Sequence, residues 1–247
     1  MIPLKSAEDL KNLKVSGKIL ARVMKEIQLI IEPGISTQDI DNLAQELITK
    51  EGAIAAFKGY KGFPASICTS VNEEIVHGIP GEKKIKEGDI ISLDLGINYA
   101  GFYTDAAVTV GVGKITPKLR DLIRVTKESL SIGIKKANIS NYLSDISHAI
   151  QSYVEKKGYS VVRQFVGHGI GSSLHEEPEI PNFGQAHQGP ILTSGMVLAI
   201  EPMVNMGTWE CVILDNGWTA ATKDSLASAH FEHTIAITEK GPEILTN

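Results

Sequence analysis

The sequence predicts an α+β protein made of two similar halves. Each half begins with two amphipathic helices and then reaches a buried strand, and the strand segments 88–94 and 195–201 match in their apolar positions and terminal acid at an offset of 107 residues. The alternative is a coincidental match of ordinary α+β periodicity. We expect one domain over residues 1–247 with an internal repeat of about residues 8–112 and 116–240, because 247 residues with 43% hydrophobic content can bury a full core.

Four helices are predicted from apolar stripes and from signals at their ends. An apolar stripe over residues 10–31 predicts the first helix, and Ser36 is placed to cap the second. In the second half, residues 119–136 predict a third helix, and a fourth is capped near Ser140 or Asn141. Each helix pair leads towards one of the two matching strands.

Four carboxylates and one imidazole lie in or beside apolar, strand-like sequence. They are Asp94, Asp105, His168, Glu201 and Glu232. A buried carboxylate without a partner is costly, so a cation is expected to meet these acids. Oxygen donors with a single imidazole suit Mn, Fe(II), Co or Zn, and the two cysteines of the chain form no cluster for a structural zinc. The alternative is that these acids are separate surface or salt-bridged residues.

The spacing of the acids suggests two hairpins. Asp94 and Asp105 flank a loop centred on Tyr99-Ala100, and a symmetric register would place them directly opposite each other, with Cβ atoms about 5 Å apart. A metal ion between them would turn repulsion into attraction. The two glutamates are likewise equidistant from Asn216-Gly217, a strong hairpin signal that predicts two pairs of strands folded back around one centre.

Composition narrows the class of protein. The net charge of −5 and the pI near 5.8 give no basic footprint for nucleic acid, and no run of 18 apolar residues is present to span a membrane. Residues 1–5 lack the apolar core of a signal peptide, and cysteine is scarce. We therefore expect a cytoplasmic protein without a membrane or sequence-specific nucleic-acid partner.

Seven motifs resemble those of the type I methionine aminopeptidases, in that family's order and spacing, from about residue 5 to the C-terminus. They are residues 73–80 (EEIVHGIP), 92–96 (SLDLG), 103–105 (YTD), 167–171 (GHGIG), 175–178 (HEEP), 199–203 (AIEPM) and 231–234 (FEHT). The resemblance implies a pita-bread (creatinase/aminopeptidase) fold, in which two pseudo-symmetric halves surround a central antiparallel sheet. The family's eukaryotic members carry N-terminal extensions that are absent here, so the chain resembles the bacterial type.

The resemblance also implies an activity and a set of site residues. The family removes the initiator methionine from nascent polypeptides when the second residue is small, using two divalent ions, for which Co, Mn, Fe(II), Zn and Ni are candidates. By position, the metal ligands would be Asp94, Asp105, His168, Glu201 and Glu232. The catalytic residues would be His77, His175 and Glu201, and the substrate would contact His77, His175, Tyr60, Phe63, Cys68 and Trp218. The implied partners are nascent N-termini at or near the ribosome, and the implied state is a monomer.

Three positions depart from the commonest pattern of the family. Phe57 and Leu174 stand where many members have other residues at the rim of the pocket, and Ser172 follows Gly171 where a basic residue is frequent. These departures leave the expected metal ligands intact. They bear on the shape of the pocket and on its tolerance for bulky second residues.

Four alternative functions use the same fold. A Xaa-Pro aminopeptidase or prolidase usually carries an extra N-terminal domain, whereas the first helix here begins by about Leu10. A non-enzymatic binding module or a creatinase-like enzyme would work without the metal, and all five expected ligands are present. A type II methionine aminopeptidase needs an insertion between His168 and Glu232, and the spacing around Glu201 leaves no room for one.

Overall fold

The structure is a computed structural model that describes residues 2–247. Within that range the helices are α1 (Ala7–Leu29), α2 (Thr37–Lys50), α3 (Pro117–Ile134) and α4 (Leu143–Lys156). The strands of the first half are β1 (Ile54–Ala55), β2 (Cys68–Val71), β3 (Glu74–Val76), β4 (Ile90–Tyr99) and β5 (Phe102–Gly111). Those of the second half are β6 (Ser160–Val161), β7 (Gly167–Gly169), β8 (Glu176–Ile180), β9 (Val197–Ile200), β10 (Met203–Asn205), β11 (Cys211–Ile213), β12 (Ala220–Thr222), β13 (Ser228–His230), β14 (His233–Thr238) and β15 (Gly241–Ile244).

The four predicted helices are present. Ser36 caps α2 as predicted, since its Oγ accepts a hydrogen bond from the Asp39 amide at 3.1 Å while the Asp39 carboxylate accepts one from the Ser36 amide. The predicted cap of α4 is wrong by one or two residues. Ser140 has a φ of 71°, which an N-cap residue does not adopt, and Tyr142 takes the cap position with its amide donating to Asp145.

The strands form four sheets, and every pairing is antiparallel. The first sheet has β5 on one side of β4, with β1 and β2 along the other side. The second has the order β15-β14-β9-β7-β8, the third β13-β10-β6 and the fourth β11-β12-β3. The helices of the first half pack against β4, and those of the second half pack against β9 and β14. No helix within residues 2–247 combines the length and the apolar character that a membrane crossing requires.

The two matching strands differ in where they end. Gly88 and Gly195, at the shared offset, have φ values of 96° and 91°, a region that favours glycine, and each is followed by a strand. β9 ends directly before Glu201, as expected. β4 does not end at Asp94 but continues to Tyr99, because the residues after Asp94 stay paired with β5. The acid of the first half therefore lies inside its strand.

Candidate metal centre and substrate cavity

The β4–β5 hairpin carries both aspartates on one face. Its turn residues are Ala100-Gly101, with φ values of 52° and 86°, so the centre lies one residue later than Tyr99-Ala100. As a result Asp105 pairs with Gly96, and Asp94 lies two residues further along the strand. The prediction that the two aspartates face each other directly is wrong. They are diagonal neighbours on one face, since side chains two residues apart point to the same side of a sheet.

The second half supplies two glutamates from one long hairpin. Each pair in β9–β14, β10–β13 and β11–β12 is equidistant from Asn216-Gly217, which confirms the predicted hairpin centre. Glu201 directly follows β9 and Glu232 directly precedes β14, so the two lie at matching positions on opposite arms. The adjacent residues Pro202 and Phe231 link the two arms, since the Phe231 amide donates a hydrogen bond to the Pro202 carbonyl at 3.3 Å.

Three rungs of hydrogen bonds then join the two hairpins. They link Asp105 to Thr234, Ala107 to Glu232 and Thr109 to His230, at 2.8 to 2.9 Å. β5 thereby runs antiparallel to residues 230–234, across the boundary between the halves. This contact, which joins residues more than 120 positions apart, places the acids of the two halves beside each other.

Asp94, Asp105 and Glu232 are buried and the Glu201 side chain is 13% exposed, and burial governs the protonation of all four acids. Burial and the nearby Asp105 carboxylate raise the pKa of Asp94 well above its usual range, and burial raises the pKa of Asp105 to about 7. Burial, with the repulsion of the neighbouring acids, also raises the pKa values of Glu201 and Glu232 well above their usual range. In the absence of a cation this site resists full ionisation.

His168 completes the cluster with a defined tautomer. β7 holds it between β8 and β9, and its Nδ1 lies 2.9 Å from the Gly169 carbonyl oxygen. Since a carbonyl only accepts, Nδ1 carries the proton and Nε2 keeps its lone pair. Nε2 lies 3.5 Å from Glu201 Oε1, and burial lowers the pKa of His168, so the ring is neutral near pH 7.

This donor set fits divalent metal. One ligand atom each from Asp105, His168 and Glu232 lies within 4.8 Å of the other two. Asp94 Oδ1 and Glu232 Oε1 are buried without a hydrogen-bond partner, and buried polar atoms of this kind are rare unless something else satisfies them. Carboxylate oxygens with one neutral imidazole match the preferences of the divalent transition metals, which would also offset the buried negative charge.

A cavity of about 270 Å³ opens onto these acids. The structure brings all eleven residues named from the sequence to its wall: Tyr60, Phe63, Cys68, His77, Asp94, Asp105, His168, His175, Glu201, Trp218 and Glu232. Phe57 and Leu174, noted above as departures, also line it, whereas Ser172 does not. The wall of the cavity therefore combines acids with aromatic rings.

Two further histidines face the cavity from loops. His175 lies with its ring centroid 4.2 Å from that of His168 and with Nδ1 2.9 Å from the Tyr60 hydroxyl. Burial and neighbouring positive groups lower the pKa of His175 to about 3, so the ring is neutral near pH 7. His77 follows β3, packs edge-on against Phe165, and has a pKa lowered by burial. Both rings are therefore hydrogen-bonding groups rather than charges.

The apolar side of the cavity is built from edge-to-face rings. The ring of Phe63 meets that of Trp218 at 5.2 Å and that of Phe57 at 6.5 Å, both nearly perpendicular. Cys68 pairs with Asp94 in the sheet, and burial raises the pKa of its thiol, so the sulfur is a neutral, polarisable surface. Gly96 leaves room for Phe57, because a Cβ there would lie 2.7 Å from its ring.

Two residues at the site escaped the sequence analysis. Lys61 lines the cavity, and its position between Gly59 and Gly62 beside Tyr60 was a usable signal. His230, which ends β13 two residues before Glu232, is fully buried, and its Nε2 lies 3.7 Å from Glu201 Oε2. That proximity depends on the long hairpin register, which gives no local sequence signal.

Comparisons with known proteins agree with this geometry. The model of metallopeptidase family M24 matches residues 11–239. The chain is 52% identical over 246 residues to a methionine aminopeptidase of Clostridium perfringens, covering 100% of this chain and 99% of the relative. It superimposes on the crystal structure of methionine aminopeptidase from Thermotoga maritima with a TM-score of 0.98, at 47% identity and with full coverage of both chains.

A more distant likeness shows the breadth of the fold. The prolidase of Pyrococcus furiosus gives a TM-score of 0.81 at 22% identity, with 99% of this chain covered and 65% of the prolidase chain. Identity at that level shows the fold alone, and the predicted pita-bread architecture is confirmed. Given the family match over residues 11–239 and the full-length identity to methionine aminopeptidases, this chain belongs to the M24 metallopeptidases, among the bacterial type I methionine aminopeptidases.

Proposed function

We propose that this chain removes the N-terminal methionine from polypeptides by metal-dependent hydrolysis of the first peptide bond, when the second residue is small. The observation that carries this proposal is the convergence of four carboxylates, three of them buried, and one neutral imidazole at a cavity that also carries aromatic rings. The 52% identity to a methionine aminopeptidase along the whole chain supports it. The prolidase and binding-module alternatives have no feature of the cavity in their favour.

We propose that two divalent ions are held by Asp94, Asp105, His168, Glu201 and Glu232. Two such ions balance the four carboxylate charges, and Co, Mn, Fe(II), Zn and Ni all accept this mixture of ligands. When bound, they supply a water of lowered pKa and a Lewis acid for the peptide carbonyl. Proton transfer and orientation of the peptide would be carried out by side chains of the protein.

Three side chains are proposed to guide the proton and the peptide. Glu201 takes a proton from the attacking water and passes it to the leaving amine, as its carboxylate borders the cavity. His175 is neutral, and its Nδ1 lies 2.9 Å from the Tyr60 hydroxyl. In the proposed tautomer that hydroxyl donates to Nδ1, so Nε2 carries the proton and donates a hydrogen bond to the developing oxyanion. His77, which also lines the cavity, contacts the nitrogen of the scissile amide.

The methionine side chain is proposed to enter the aromatic side of the cavity. Tyr60, Phe63, Cys68 and Trp218 contact it, and a thioether packs well on ring edges and on sulfur. Phe57 packs edge-on against Phe63 and adds a further ring to the cavity wall. Such a pocket accepts a long unbranched chain better than a branched or charged one.

The setting of the reaction follows from its substrate. Initiator methionine stands at the N-termini of nascent polypeptides, so we propose that the chain acts on these in the cytoplasm, at or near the ribosome. We also propose that the chain acts as a monomer.

Removing the metal should make stability fall as pH rises. A carboxyl whose pKa is raised on folding, such as Asp105 at about 7, stabilises the fold at low pH and loses that contribution as pH rises through the raised value. We expect the melting temperature of metal-free protein to fall between about pH 5 and about pH 8, and Mn to restore it most at the higher pH. Asp105→Asn should flatten this dependence, with the exposed Glu8→Gln as the control. Equal melting of metal-free and Mn-loaded protein at the higher pH contradicts the proposed site.

Replacing His175 should separate catalysis from metal binding. We expect His175→Ala to lower kcat by about a hundredfold or more, because the oxyanion loses a donor, while the metal content by elemental analysis stays unchanged. The matched control is His148→Ala, at an exposed position outside this cavity. Loss of metal from the His175 variant would make that residue a ligand instead.

A panel of peptides tests the reaction itself. We expect Met-Ala-Ser to be cleaved well and norleucine-Ala-Ser more slowly, since one apolar substitution in such a pocket is worth about 1–3 kcal/mol. Leu-Ala-Ser should fit poorly. Formyl-Met-Ala-Ser should resist because its blocked amine cannot reach the metal centre, and Met-Lys-Ser because of its bulky second residue. Efficient turnover of either of the last two, or of Ala-Pro in preference to Met-Ala-Ser, would refute the proposed specificity.

A further inference from the structure

A buried ion pair joins the N-terminal segment to the loop that carries His175. Lys5 Nζ lies 2.5 Å from Glu176 Oε2, and the two side chains are only 5% and 10% exposed. The residues are 171 positions apart in the chain. Most other ion pairs of residues 2–247 are far more exposed, so this one is unusual in its burial.

The other carboxylate oxygen of Glu176 forms hydrogen bonds within the loop over residues 171–176. Its Oε1 accepts hydrogen bonds from the Ser172 amide at 2.7 Å and from the Ser173 amide at 3.0 Å. One carboxylate thus binds the lysine with one oxygen and closes the turn over residues 171–176 with the other. The position of the turn is therefore coupled to the position of Lys5.

That turn presents two side chains to the cavity. Leu174 and His175 both line it, and they lie between the serine amides and the Glu176 carboxylate that holds them. At its start the turn is anchored by the Tyr103 amide, which donates to the Gly171 carbonyl at 2.7 Å. His175 is thus supported from β5 on one side and from Glu176 on the other.

The path of Lys5 is built into the surrounding backbone. Its amide donates to the Gly195 carbonyl at 2.7 Å, which ties the N-terminal segment to the residues before β9. Its side chain crosses Gly171, where a Cβ would lie 2.2 Å from Lys5 Cε. The fold therefore leaves a specific channel for this lysine.

Stability alone does not account for such a pair. Burying two charges costs desolvation free energy that their attraction only partly offsets, and apolar residues of similar volume often stabilise a protein as well or better. A buried pair with further hydrogen bonds does fix geometry. At a catalytic loop, geometry matters because a displacement of about 1 Å can cost about a hundredfold in rate.

We infer that Lys5 and Glu176 are positioning residues that hold the turn over residues 171–176, and with it His175, in its working place. The inference rests on the proposed function for its effect on the reaction. Its structural part, the ordering of the turn by Lys5, stands independently of that function.

The test compares Lys5→Met, Lys5→Arg and the double variant Lys5→Met with Glu176→Gln, all as metal-loaded full chains. We expect Lys5→Met to lower kcat for Met-Ala-Ser about tenfold or more with little change in KM and none in metal content. Amide hydrogen exchange over residues 171–176 should become about tenfold faster, while exchange in β4 and β5 stays unchanged. Lys5→Arg, which keeps the charge, should recover a large part of both.

The double variant and a matched control keep the test decisive. The double variant removes both charges, so it leaves no buried carboxylate unpaired and folds even where Lys5→Met does not; its turn should still exchange faster. Lys14→Met breaks the Lys14–Glu243 pair, which is 44% exposed on each side, and should change neither kcat nor exchange in the turn. A Lys5→Met or double variant with wild-type kcat and wild-type exchange would overturn the inference. If the wild-type enzyme releases no methionine, the proposed function is refuted. Hydrogen exchange over residues 171–176 in the Lys5 variants would then still test whether Lys5 orders the turn.

Discussion

Four carboxylates buried in one place are the constraint on which this structure depends. Asp94, Asp105, Glu201 and Glu232 lie together at one cavity, with the Glu201 side chain 13% exposed and the other three buried, and burial raises the pKa of each of them. The backbone holds them there through two hairpins, one from each half, and the three rungs between β5 and residues 230–234 fix one hairpin against the other. The aromatic cavity, the neutral histidines and the buried ion pair at Glu176 are all arranged around that cluster.

Local sequence signals predict the centre of the second hairpin and the start of α2. Asn216-Gly217 lies at the centre of the second hairpin, where the Asn216 side-chain oxygen accepts hydrogen bonds from the Trp218 and Thr219 amides, and the equal arms place Glu201 opposite Glu232. Ser36 with Asp39 at the third position of α2 defines that helix start. The positions of the site residues followed mainly from the resemblance, since no local rule leads from Tyr60 to His175.

The errors have physical causes. Ala100 adopts a left-handed φ of 52°, which alanine seldom does, so nothing in the residue type marked Ala100-Gly101 as the turn and the register of Asp94 was misplaced. The rungs between the halves, the approach of His230 to Glu201 and the link from Lys5 to Glu176 join residues far apart in sequence. Such contacts arise from packing, and a single sequence carries no period or motif for them.

The most direct test of the account is electron paramagnetic resonance of the protein titrated with Mn(II), with the bound metal counted in the same sample. If the carboxylates of both hairpins hold two ions side by side, the account predicts two Mn per chain and a spin-coupled signal that Asp94→Asn or Glu232→Gln reduces. A single isolated Mn signal at saturation, unchanged in those variants, would contradict it.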